Sequence, residues 1–133
     1  MDTTDKSVQA FDALVSAAKA VTGEFKLSEE WLTAGTVGAA LESETGNIYT
    51  GICMDLSCGI GFCAEHSAMS AMLKSRETVV KRMVAVNAKN VIPPCGRCRE
   101  LIMQIDTRNS ECLVLVSEDR VMLLKDLLPV WWA

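Results

Sequence analysis

Hydrophobic positions recur along this chain with two periods, and the places where the period changes mark its elements. From Ser7 to Val21, the residues Val8, Phe11, Leu14, Val15 and Ala18 fall three or four apart, which puts them on one face of an amphipathic helix. Residues 1–6 carry no such pattern and are expected to fray. Two short apolar runs follow, Thr36 to Leu41 and Ile48 to Met54, and between them stands Glu44-Thr45-Gly46-Asn47. That arrangement predicts a strand hairpin in which Gly46 supplies the turn geometry. A helix from Cys63 to Lys74 and a strand from Val79 to Asn87 come next. Pro93-Pro94 then leads into a helix from Cys95 to Ile105, and two strands close the chain, Cys112 to Ser117 and Arg120 to Leu124.

The resulting order is αββαβαββ. Only a couple of residues separate the last two strands, whereas a parallel crossover needs about a dozen or more, so they form an antiparallel hairpin. No repeat or linker divides the sequence, and residues 1–133 read as one domain. Half of the residues are hydrophobic, enough for a real core. Met69, Met72 and Met103 lie at helical positions and are read as core or interface filler.

Charge and cysteine usage narrow the classes of function. The formal charge is −4 and the isoelectric point near 5.0, which argues against a polynucleotide partner, since backbone binding calls for clustered Lys and Arg. No basic and apolar leader is present and no apolar run is long enough to span a bilayer, so a soluble cytoplasmic protein without membrane contact is expected. Six cysteines in such a chain point away from a disulfide framework. Cys53, Cys58 and Cys112 lie in or near apolar segments and read as buried free thiols.

The other three cysteines carry the chemistry. Cys63-Ala64-Glu65 opens one predicted helix, and Pro94-Cys95-Gly96-Arg97-Cys98 opens another after a strand. Helix starts expose N–H groups and a positive dipole end, which favour thiolate over thiol. Three thiolates hold Zn²⁺ tetrahedrally and leave the fourth position to water. A centre of net charge −1 acidifies that water weakly, so a nearby base is needed, and Glu65 is the candidate. Glu65 would take a proton from the water, which attacks an amine-bearing ring carbon, and would return protons to the ring nitrogen and the departing ammonia. A His or Cys, then x-Glu, then Pro-Cys-x-x-Cys is a signature of nucleobase deaminases. The cysteines alone are also compatible with a closed structural zinc site or a Cys-x-x-Cys redox pair.

Almost the whole chain resembles the small cytidine deaminase family, blasticidin S deaminases included. Beyond the cysteines, the resemblance rests on Thr36-Val37-Gly38-Ala39-Ala40-Leu41, Tyr49-Thr50-Gly51, Cys95-Gly96-Arg97-Cys98-Arg99-Glu100, and Leu127-Leu128-Pro129 followed by aromatics. It implies an α/β fold, a three-layer αβα sandwich around a five-stranded mixed sheet with an antiparallel final strand. It also implies one zinc per chain on Cys63, Cys95 and Cys98, Glu65 as the catalytic residue, and the Ala64 N–H as donor to a ring carbonyl. A homotetramer acting on a free aminated heterocycle or nucleoside is expected, cytidine and deoxycytidine first and blasticidin S second. In that family a C-terminal aromatic stacks near the site, a role that falls to Trp131 or Trp132.

Departures from the family pattern concentrate where the sugar and ring would bind. Cys53 and Asp55 stand where cytidine deaminases have an Asn and a Glu for ribose, and Gly35 or so stands where a Phe packs on the pyrimidine. His66 replaces an arginine that donates to the zinc thiolates; satisfaction by a backbone carbonyl is the alternative for it. Arg97 and Arg99 are the other cations able to compensate the centre.

Overall fold

The computed structural model describes residues 4–133. Ser7 caps a 3₁₀ turn at Val8–Phe11, its hydroxyl accepting from the Ala10 N–H at 3.3 Å, and the turn runs into helix α1, Asp12–Val21. Strands β1 (Phe25–Lys26), β2 (Thr33–Ser43) and β3 (Ile48–Asp55) precede helix α2, Ala64–Lys74. Strands β4 (Val80–Val86) and β5 (Val91–Ile92) precede helix α3, Gly96–Ile105. Strands β6 (Leu113–Ser117) and β7 (Arg120–Leu123) lead to a last short helix, α4, Leu124–Leu127.

The five long strands lie side by side as β3-β2-β4-β6-β7. Only β4 and β6 are parallel, joined by the α3 crossover, and the closing β6–β7 pair is antiparallel, as the short connection requires. Two two-residue strands extend this sheet: β1 on β2, with Phe25 opposite Ala34, and β5 on β4, with Ala85 opposite Ile92. Two residues carry no periodicity, which is why the hydropathy pattern misses them. The last predicted strand also ends one residue early. Leu124 is buried in the core and its N–H donates to the Cys112 carbonyl at 2.9 Å, which begins α4 there.

Period-two alternation sorts side chains onto the two sheet faces. Ala40, Val84, Val86, Leu113 and Leu115 meet Phe11, Leu14 and Ala18 from α1. Ala39, Leu41, Met83, Ala85 and Val114 face Ala68, Met69 and Met72 of α2 and Ile102 and Met103 of α3. Each large side chain so buried contributes about 1.5–3 kcal/mol. The result is three layers, α1, sheet, then α2 with α3, and Met69, Met72 and Met103 are core. Cys53 and Cys112 are buried as expected, but Cys58 is exposed, because it sits in the short 3₁₀ turn Ser57–Gly59 between β3 and α2 and not in the strand.

Met1, Asp2 and Thr3, part of the segment expected to fray, lie outside the described residues. Asp5, from the same segment, is anchored: the buried Arg82 donates from Nη2 to its carbonyl at 2.6 Å and from Nη1 to Glu42 Oε1 at 2.9 Å. Asn109 is fully buried and gives the other polar tie. Its Oδ1 accepts from the Val80 N–H at 2.7 Å, and its Nδ2 donates to the carbonyls of Ile102 and Thr78. This joins the start of β4 to the end of α3.

The seating of α2 on β3 depends on Gly51. A Cβ there would stand 2.3 Å from the Ala68 nitrogen and 2.7 Å from the Ala64 carbonyl. Neither backbone atom can yield without moving the first turns of the helix. Gly51→Ala is therefore expected to destabilise the protein by about 1–3 kcal/mol and to lower metal retention at the start of α2. Urea unfolding and metal content check both effects.

At the opposite end of α2, Glu77 holds the β2–β3 turn, where Gly46 adopts φ +90° as predicted. Hydrogen bonds from Thr45, Tyr49 and Asn47 lower the Glu77 pKa from 4.5 to about 2. The unfolded chain thus takes up this proton at a higher pH than the folded one. The stabilisation is present above pH 4.5 and is lost as pH falls from 4.5 toward 2. Glu77→Gln is expected to flatten the stability-versus-pH curve in that window, as read by thermal melts of the two proteins.

Candidate active site

Helices α2 and α3 bring their N-termini together below the sheet edge. Cys63 is the N-cap of α2 and Cys95 the N-cap of α3, both with extended backbone. His66 and Cys98 lie three residues further on, one turn into their helices, so each helix start offers a cap donor and a first-turn donor. Neither cap sulfur closes a cap hydrogen bond, which leaves both available.

The sulfur atoms of Cys63 and Cys95 are 3.5 Å apart, and those of Cys95 and Cys98 are 3.6 Å apart. Tetrahedral thiolates at the usual Zn–S distance stand about 3.8 Å from one another. Cys63, His66 and Cys98 also place their donor atoms within 4.8 Å of one another, with His66 Nδ1 3.4 Å from the Cys98 sulfur. Two overlapping donor triads therefore share Cys63 and Cys98. His66 meets a sulfur, not a backbone carbonyl. Burial and Arg97 lower its pKa, and with the proton on Nδ1 it donates to Cys98.

The electrostatics of the cluster favour a cation. Burial, the Glu65 carboxylate and the neighbouring thiols push the Cys98 thiol far above its ordinary value, and burial with the Cys95 contact raises Cys63. Cys95 alone is lowered. Burial raises it, but the N–H groups of Cys98 and Arg97 and the two other thiols outweigh that effect. A divalent ion removes the mutual repulsion and stabilises all three thiolates. The donor set, soft and spaced for tetrahedral contact, fits Zn²⁺.

Glu65 projects from the first turn of α2 and is only 4% exposed. Burial raises its pKa, and its own N–H and the Cys98 thiol offset this in part. Burial thus makes this carboxyl a stronger base than an exposed one.

A cavity of about 480 Å³ opens beside the cluster. Glu65, Cys63, Cys95, Ala64, Cys53, Asp55 and Arg97 line it, which brings together most of the residues singled out in the sequence. Trp131 packs against the core beneath α3, and Trp132 is 89% exposed, so neither lines this cavity within one chain. Arg99 donates to the carbonyls of Pro94 and Leu127, bracing the turn before Cys95 and leaving the thiols to others. Phe62, Val37 and Thr36 also line the cavity and were not picked out as site residues from the sequence. Phe62 arrives there because it exchanges backbone hydrogen bonds with Met54. That bridge pairs two single residues across a short loop and leaves no periodicity in the sequence.

The family model for the cytidine and deoxycytidylate deaminase zinc-binding region matches residues 14–114. A cytidine deaminase from Halalkalibacterium halodurans is 35% identical over 71 residues, which cover 52% of this chain and 54% of that protein, about half its length. Blasticidin-S deaminase from Bacillus cereus is 27% identical over 107 residues, 71% of this chain and 74% of the relative. Among solved structures, cytidine deaminase from Mycobacterium tuberculosis has a TM-score of 0.77 at 26% identity, covering 92% of this chain and 97% of that one. The Mycobacterium leprae cytidine deaminase gives 0.75 at 25%, covering 90% and 98%.

The two donor triads make different demands on mutants. Cys95→Ala is expected to leave the purified protein with much less than one zinc per chain. His66→Ala should keep zinc but bind it about 10–100-fold more weakly, the usual cost of losing a hydrogen bond to a ligand. Metal analysis with chelator competition reads both.

Proposed function

Because the chain belongs to the cytidine and deoxycytidylate deaminase zinc-binding family, we propose that it removes the exocyclic amine of a cytosine nucleoside, converting cytidine or deoxycytidine to the uracil nucleoside with release of ammonia. The observation that carries this reading is the buried carboxyl of Glu65 beside three thiols at zinc-ligand spacing, in one cavity.

Cys63, Cys95 and Cys98 hold the metal in this proposal. When bound, zinc supplies Lewis-acid polarisation of the attacking water. Glu65 takes a proton from that water as it adds to the amine-bearing ring carbon and delivers it to the ring nitrogen. A second proton passes through Glu65 to the amine, which leaves as ammonia, so the carboxyl serves as base and then as acid. Its burial keeps the proton on the reaction path instead of in bulk solvent. Ala64, at the first position of α2, has an N–H free of the helix ladder and lines the cavity, so it suits a ring carbonyl.

Blasticidin S is the second reading. The 27% identity to a blasticidin-S deaminase favours it, as does a thiol at residue 53, where a side-chain amide for a sugar hydroxyl would otherwise stand. Assembly as a cytoplasmic homotetramer belongs to the same proposal. The 83% exposure of Val130 and the 89% exposure of Trp132 fit a C-terminus covered by another copy.

Ammonia release by the zinc-loaded protein, measured on cytidine, deoxycytidine, cytosine and blasticidin S, tests the proposal. Turnover of at least one is expected, and Glu65→Gln should lower it by about 10²–10⁴ or more while keeping metal and fold. Equal turnover by the two proteins would remove Glu65 from the chemistry.

A further inference from the structure

A flat heterocycle packs best against another flat apolar face, and the sequence holds three Phe, one Tyr and three Trp able to give one. Their places in the fold leave a single candidate. Phe11 is fully buried among the side chains between α1 and the sheet, and the Tyr49 hydroxyl donates to Glu77 at the far end of α2. Phe25 and Trp31 are exposed and line no part of the cavity. Trp131 packs against the core beneath α3, and Trp132 is exposed. Among the described residues, Phe62 is the aromatic that lines the cavity.

The sheet wall supplies no ring. Strands β2 and β3 pair at Ala34 with Met54 and resume at Gly38 with Ile52, so Gly35, Thr36 and Val37 form a bulge opposite Cys53. Gly35 adopts φ +87°, and a Cβ there would stand 2.2 Å from the Gly23 oxygen, so no side chain fits. Thr36 and Val37 line the cavity with small side chains. Phe62 is held on a different segment. Its N–H donates to the Met54 carbonyl at 3.2 Å, and its carbonyl accepts from the Met54 N–H at 3.0 Å. Residues paired in this way present their side chains on one face, and both line the cavity. Phe62 is half-buried and belongs to neither hydrophobic cluster of the core, so core packing does not account for its ring. It stands directly before Cys63, Ala64 and Glu65. Consecutive Cα atoms are about 3.8 Å apart, so a heterocycle seated at the thiols and the Ala64 N–H lies within a side chain's reach of Phe62.

We infer that Phe62 is the ring-contact residue of this cavity: its phenyl face packs against the plane of the substrate heterocycle and selects a flat, conjugated ring over a puckered one. The inference deepens the deaminase reading and rests on it. Residues 62–65 then carry ring contact, metal ligation, the N–H for the ring carbonyl and proton transfer in one unbroken stretch. The aromatic face comes from the metal-binding segment itself and not from the C-terminal tryptophans. It reads the planarity of the ring and is indifferent to the sugar.

The test titrates the zinc-loaded protein calorimetrically with uridine and with 5,6-dihydrouridine. The two carry the same sugar and ring carbonyls and differ in the planarity of the ring, and neither has an amine to lose, so no turnover intrudes. Uridine is expected to bind about 2–10-fold more tightly, as for a pair of aromatic rings. Phe62→Leu, which keeps apolar bulk and loses the flat face, should erase that preference, and Phe62→Tyr should keep it. Phe62→Met takes the place of the leucine variant if the latter does not retain its zinc. Phe62→Ala should weaken uridine binding by about 5–100-fold, the range for a base stacked on an aromatic side chain. Equal affinities for the two compounds in the unaltered protein, or a preference that survives Phe62→Leu, would overturn the inference and leave the deaminase reading standing. A tyrosine variant as impaired as the leucine one would overturn the role of the aromatic face. Binding of neither compound would overturn both the inference and the nucleoside reading.

Discussion

Crowding three thiols and a carboxyl at one point is unfavourable unless a cation joins them, and the rest of the structure is arranged to make that crowding possible. The two N-caps, Cys63 and Cys95, must come within 3.5 Å of each other at their sulfurs. That distance requires α2 and α3 to lie on the same face of the sheet and to start at the same edge. The α2 position is set by Gly51, which allows the helix backbone to touch β3. The α3 position is set by the parallel crossover between β4 and β6, and Asn109 fastens the far end of that helix to the first residue of β4. A change at any of these points acts on the centre through the helix axes and touches no ligand.

The features legible in the sequence are those with a local signal. Hydrophobic period gave the long strands and the three main helices within a few residues, and the short final connection forced the antiparallel closure. The paired cysteine motifs pointed to three thiols at two helix starts, and the fold brings those thiols together. The rest depends on pairings that leave no period in the sequence. Val91-Ile92 and Phe25-Lys26 are too short to show a period, and they form strands because β4 at Ala85-Val86 and β2 at Thr33-Ala34 run past their β6 and β4 neighbours. The burial of Asn109 has no signature, since an asparagine in a polar stretch reads as a loop. Phe62 enters the cavity through its bridge to Met54, and Thr36 and Val37 enter through a bulge that an apolar run read as a regular strand conceals.

The residues that depart from the family pattern are accommodated and not idle. His66, its pKa lowered by burial and by Arg97, sits against the Cys98 sulfur and with the proton on Nδ1 donates a hydrogen bond to it. Cys53, unable to act as an amide, bridges the bulge and Asp55. The cysteines and Glu65 of the family pattern stand at the helix starts, and the departures at residues 53 and 55 lie on another wall of the cavity. The cavity thus has two unlike walls: the three thiols and Glu65 belong to helix starts held by the core, while Thr36, Val37 and Cys53 belong to an irregular stretch of sheet.

The central claim is that zinc is held by three thiolates from two helix starts, with one position left for water beside Glu65. X-ray absorption at the zinc edge of the loaded, ligand-free protein tests this most directly. The account expects three sulfur atoms at about 2.3 Å and a single oxygen near 2.0 Å. A shell of two sulfurs with imidazole, or four protein donors including His66, would contradict it, the first by removing Cys95 from the site and the second by closing the position that hydrolysis needs.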